Sequence, residues 1–236
     1  VAFEYRHKRD EDRWQTNWEH AIFWTSLIPA FLWGVAFANL VRGVKLDEHM
    51  EYVGSLFDLL NVYSLLGGLV TLTLFTFHGT VFTSLKTVGD IRERSRALAT
   101  RLGAVTAVLA LVFLIWTQVS RGDGKSLIAM AVAVVALVGA LAFNLAGREG
   151  WSFALSGITI AAAVAMLFLT LFPNVMPSSL NDAWNLTVTN ASSSPYTLKI
   201  MTWCAGVATP LVLLYQGWTY WVFRKRIGTQ HIVDAH

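Results

Sequence analysis

Apolar residues along this chain gather into six blocks, at 18–41, 61–85, 102–120, 126–146, 151–172 and 198–223, separated by short polar or charged stretches. Each is close to the roughly 20 residues that an α-helix needs to cross about 30 Å of hydrocarbon. The other structure able to span a bilayer is a closed β-barrel, built from strands of about ten residues that alternate in polarity. The stretch LIAMAVAVVALVGALAF from Leu127 to Phe143 does not alternate. The pattern therefore predicts an all-α integral membrane protein with six spans, denoted A to F.

Charge placement tests that count. If the spans alternate in direction, Arg6, Lys8, Arg9 and Arg13 fall on the same side as the basic stretch 86–101, Arg148 and the run Arg224-Lys225-Arg226. Arg42, Lys45, Arg121, Lys125 and Lys199 are left on the other side, so thirteen of the 18 basic residues share one face of the membrane. Cytoplasmic loops are enriched in Lys and Arg, which predicts that residues 1–17 and the tail 224–236 are cytoplasmic. Composition agrees with the membrane assignment. Only 14% of residues are charged, against about 25% in an ordinary soluble domain. The net charge of +3 reads as a topology signal, with the lipid bilayer as partner and no nucleic acid.

Small residues mark the faces that should meet protein. Gly34 and Ala38 lie four apart in span A, a spacing that permits close helix approach. Gly67 and Thr71 share a face of span B with Leu74 and His78, while Thr202, Gly206, Thr209 and Gln216 form a stripe along span F. Pro29 and Pro210 predict bends in spans A and F. The RGDGK turn makes C and D an antiparallel hairpin, and residues 86–101 read as a basic loop. The longest connection, 173–197, carries no Lys or Arg. It is expected to be ordered by a partner, since a long structureless loop has little else to hold it.

Ionisable groups deep in a membrane are functional candidates by default, and few are present. Asp58 sits at the outer mouth of span B, Glu19 and His20 at the inner mouth of span A. His78 lies within span B. It could ligate haem, relay a proton or contact a quinol, or it could hydrogen-bond a neighbouring helix, and the residues favour the last reading. A bis-histidine haem site would need a second buried histidine in A to F. Cys204 is the single cysteine, without a zinc-binding spacing or a disulfide partner in the chain. No catalytic or metal-binding set emerges. On the residues alone, a transporter and a structural scaffold stand beside a subunit that works with a partner.

Several strings together carry a more specific likeness: VAFEYRHK, WGVAFANLVRGV, LLGGLVTLTLFTFHGTVFTSLKTVGDIRERS, LFPNVMPSSL, NASSSPYTLKIMTW and YQGWTYWVFRKRI. In this order they resemble subunit II of the cytochrome bd-type quinol oxidases over nearly the whole chain. The resemblance implies a subunit of a bacterial inner-membrane respiratory enzyme that oxidises quinol and reduces dioxygen to water. It implies that haems b and d belong to a partner, subunit I, with this chain shaping oxygen or proton access, and it leaves room for small single-helix accessory subunits. The implied architecture is two four-helix bundles plus a peripheral helix: A ends the first bundle, B to E form the second at 61–172, and F is peripheral. Three helices upstream of Val1 would then be missing. Glu4 and Arg6 in VAFEYR, with Asp58 and His78, are the candidates for proton-path or partner contacts.

Overall fold

A computed structural model describes residues 1–228, and the expected tail beyond Gly228 lies outside the described residues. A short helix, α1 (Ala2–Arg6), precedes six long ones: α2 (Asp12–Arg42), α3 (Val62–Lys86), α4 (Asp90–Arg121), α5 (Gly124–Leu145), α6 (Glu149–Leu171) and α7 (Pro195–Val222). All six long helices have the length and apolarity to cross a membrane. The six predicted spans map onto them one to one.

Two boundaries move substantially. Span A starts at Asp12 rather than residue 18. The stretch 90–101, expected as part of a basic loop, is the first part of α4. Gly89, at φ 68, turns the chain sharply, and Asp90 and Glu93 then occupy the first helical turn. Acidic side chains there complement the positive end of the helix dipole. At 1.5 Å per residue, the 32 residues of α4 extend about 48 Å, so its charged first turns project beyond the hydrocarbon.

Helices α3 to α6 pack as a ring, with α3 on α4, α4 on α5, α5 on α6 and α6 returning to α3. Phe77, Val81, Ala99, Ala140 and Met166 are fully buried inside it. Helix α2 lies along α3 and also touches α6. Bare backbone makes the α2–α3 crossing close. A Cβ on Gly34 would stand 2.5 Å from the Gly67 carbonyl oxygen, and one on Gly67 would stand 2.7 Å from Ala38 Cβ. Pro29 sits inside α2 and Pro210 inside α7. Helix α7 is the exception to the packing, since none of its residues is buried.

The 173–197 connection, expected to be ordered by a partner, makes bonds within its own chain. Strand β1 (Asn174–Met176) pairs antiparallel with β2 (Leu186–Thr187). Its backbone is also stitched to the α2–α3 connector: Val44 N–H donates to Pro177 O at 3.0 Å, and Ser179 N–H to Val44 O at 2.8 Å. The buried Ser178 hydroxyl donates to Leu46 O at 2.9 Å. Buried backbone polar groups must find partners, and here the chain supplies them.

Candidate functional site

Polar side chains concentrate at the two ends of the bundle, and a single histidine lies between them. At the end away from the basic loops, Asn39 of α2 is buried and its amide donates to Val35 O at 2.9 Å and Leu59 O at 2.8 Å. Asn61 donates to Asn39 Oδ1 at 3.0 Å, and its own Oδ1 receives Ser64 N–H, capping α3. Asp58 lies in a 3₁₀ turn, Leu56–Leu59. One carboxylate oxygen accepts from Lys45 Nζ at 2.8 Å and the other from Ser55 N–H at 2.7 Å. The Lys45 hydrogen bond, followed by that of Ser55, holds the Asp58 carboxyl below its ordinary pKa. Its partners give Asp58 a role in shaping the connector.

His78 projects from α3 towards α6. Its Nδ1 lies 2.7 Å from the hydroxyl of the buried Ser156, which also reaches Phe153 O at 2.9 Å. The imidazole stacks on the Phe153 ring, with centroids 4.5 Å apart. Among the described residues no three His, Cys, Asp or Glu side chains gather where they could hold a metal. The Ser156 bond engages Nδ1 across the contact between α3 and α6. The geometry is that of an interhelical hydrogen bond.

At the basic end, one carboxylate organises three elements. Glu149 opens α6 and is only 3% exposed. Its Oε1 accepts from Arg92 Nε at 2.9 Å and Nη2 at 2.7 Å, and Arg226 Nη2 lies 3.5 Å from Oε2. Beside it, Arg96 donates to the Asn144 and Leu145 carbonyls at the end of α5, satisfying acceptors that a helix terminus leaves open. Sequence reasoning missed Glu149. The only available signal was an acid directly after Arg148 at the start of an apolar block.

Of the other candidates, Arg6 pairs with Glu19, which ties α1 to α2, while Glu4 is exposed on α1. Gly67 and Thr71 stand against Gly34. Thr202, Gly206, Thr209 and Gln216 are all exposed, and a Cβ on Gly206 would meet nothing within 4 Å among the described residues. The structure thus brings together the small residues of α2 and α3 but leaves the α7 stripe uncovered.

Between α2 and the ring lies a cavity of about 430 Å³, lined by Gly34, Ala38, Val70, Phe113, Leu137 and Ala163 among others. Two hydroxyls border it, those of Thr71 and Thr159, and both are spent on carbonyls of their own helices, at Gly67 and Leu155. The lining is overwhelmingly apolar, which suits a small apolar molecule.

Comparison with known proteins follows the same direction. The family model described as cytochrome bd terminal oxidase subunit II matches residues 1–223. Cytochrome bd ubiquinol oxidase subunit 2 of Bacillus subtilis (strain 168) is 42% identical over 234 residues, covering 97% of this chain and 69% of that protein. Cytochrome bd-I ubiquinol oxidase subunit 2 of Escherichia coli (strain K12) is 33% identical over 270 residues, covering 98% of this chain and 71% of that protein. A probable cytochrome oxidase subunit 2 of Haemophilus influenzae is 30% identical over 258 residues.

Proposed function

Because this chain belongs to the cytochrome bd terminal oxidase subunit II family, we propose that it is the supporting subunit of a quinol-oxidising, dioxygen-reducing complex whose haems b and d are held by subunit I. The observation that carries this reading is α7, a helix of 28 residues with none buried. A purely apolar helix does not need protein neighbours in lipid. One bearing Thr202, Gly206, Thr209 and Gln216 along a stripe has the small and polar residues that helix–helix contacts in membranes use. In this reading the stripe faces the haem-bearing partner.

The roles that follow are those of a scaffold. Helix α2 ends a first bundle, α3 to α6 form a second, and α7 is peripheral. The basic end faces the cytoplasm, together with both ends of the described chain. The apolar cavity beside α2 supports a part in oxygen access, since dioxygen distributes into apolar space. Glu4, exposed and without a side-chain partner among the described residues, has its carboxylate available for a partner or a proton. Arg6, Asp58 and His78 are committed to Glu19, Lys45 and Ser156 and contribute by holding shape.

The test is purification of the full-length protein from native membranes, followed by a reduced-minus-oxidised spectrum. Co-purification of a haem-bearing subunit with b- and d-type signals is expected, together with quinol-dependent oxygen consumption. A homogeneous preparation with neither haem nor partner would sink the reading.

A further inference from the structure

Among the described residues, helix α7 meets the bundle near its C-terminal end. Near its C-terminus the Tyr220 ring meets Phe82 of α3 and Phe153 of α6, with centroids 6.3 and 6.2 Å apart. Immediately beyond, Lys86 Nζ donates to Phe223 O at 2.6 Å, and Ile227 N–H donates to Lys86 O at 2.8 Å. Arg226 then reaches Glu149, whose carboxylate is already held by Arg92. The same buried group therefore joins α4, the first turn of α6 and the segment following α7.

A buried carboxylate is expensive unless it is paired. Arg92 alone, bonded through two nitrogens, supplies a full partner from within the bundle. Arg226 adds a second cation on the oxygen that Arg92 leaves open. This second arm comes from a segment outside the ring. What it does constrain is where the chain leaves α7. With no buried residue along the helix body, the direction of α7 is decided where its end is held.

We propose that Glu149 is the pivot of an ionic clasp, with Arg226 as its arm, that sets the angle at which α7 leaves the bundle and so presents its stripe to the haem-bearing subunit. Both residues are positioning residues for assembly. The assembly half rests on the subunit II reading, whereas the clasp itself can be read without any partner.

Spin labels on the native Cys204, exposed on α7, and on an introduced Leu69→Cys, exposed on α3, report the distance between helix and bundle in the full-length subunit in lipid nanodiscs. Arg226→Gln removes the arm and leaves the Arg92–Glu149 pair intact. It should broaden the distance distribution while the bundle melts at the parent temperature. Glu149→Gln should broaden it equally, and the double variant no further, because the two act through one contact. In the complex, Arg226→Gln should reduce the haem-bearing subunit retained after a salt wash, and Arg226→Lys should restore part of it. An unchanged distribution in both single variants would overturn the clasp. Broadening with full retention of the partner would overturn its role in assembly and leave the subunit II reading untouched.

Discussion

Helices α3 and α7 are nearly matched in length and mean hydropathy, yet a third of the most apolar window of α3 is buried in the chain and none of that of α7. Hydropathy therefore says that both cross the membrane and is silent on what each one meets. The difference lies in how small residues are met by neighbours. Gly67 and Gly68 of α3 face Gly34, Ala38 and Phe31 of α2 at distances where no Cβ fits without movement, whereas Gly206 and Gly217 of α7 have nothing within 4 Å. In lipid, where hydrocarbon solvates apolar side chains as well as protein does, close packing decides association. Helix α3 has that packing within the chain, whereas the glycines of α7 have no such neighbour among the described residues.

The comparison breaks most directly at Gly34. Gly34→Leu would drive a side chain into the Gly67 carbonyl and the Thr71 side chain. Overpacking against backbone cannot relax through a rotamer change, and a loss of about 3 kcal/mol is expected. Thermal melting of the purified subunit reads it; a parent-like melt would show that α2 and α3 do not cross where described. Gly206→Leu is the counterpart on α7. It should leave the melting of the subunit alone unchanged and weaken retention of subunit 1 in the complex. If it lowered the melting temperature as Gly34→Leu does, α7 would have a neighbour in its own chain.

This asymmetry also separates what was legible in the sequence from what was not. The six spans were legible because membrane crossing depends on local composition. The helical start of α4 was not, since hydropathy cannot distinguish a charged loop from a charged helical turn; Gly89 and the acids at Asp90 and Glu93 were the available cues. Two further features depend on partners far along the chain. Ser178 bonds to Leu46, 132 residues away, and Glu149 to Arg92 and Arg226, 57 and 77 residues away. The resemblance to the oxidase subunit was carried by ordered motifs, which identify a family without stating these contacts.

A smaller effect is expected inside the ring. His78→Phe removes the hydrogen bond to Ser156 but leaves that hydroxyl its second partner, the Phe153 carbonyl. No polar group is orphaned, and the stack on Phe153 can persist. The loss should be about 1 kcal/mol, read by melting, with the b- and d-type haem signals proposed for the complex unchanged. Selective loss of one haem signal would show that His78 acts on a cofactor across the interface.

The smallest effect is expected at the opposite end of the same helix, in the connector 43–61. Asp58 is held below its ordinary pKa chiefly by Lys45 and then by Ser55 N–H, so the folded connector favours the charged carboxylate. A group with a depressed folded pKa contributes stability fully above its unfolded value, and the contribution disappears as pH falls through the lowered value. The protection factors of the Ser55 and Leu56 amides, taken relative to the intrinsic exchange rate at each pH, should therefore fall on acidification below the usual carboxylate range and stay flat from there up to neutrality. Asp123 is also depressed, by the Ser126 N–H that it caps at the start of α5, so a global melt would mix several titrations and the local probe is required. In Asp58→Asn the acid-dependent component at Ser55 should vanish while the bundle amides remain as protected as before. If that component survived in the variant, Asp58 would not be the group that holds the turn.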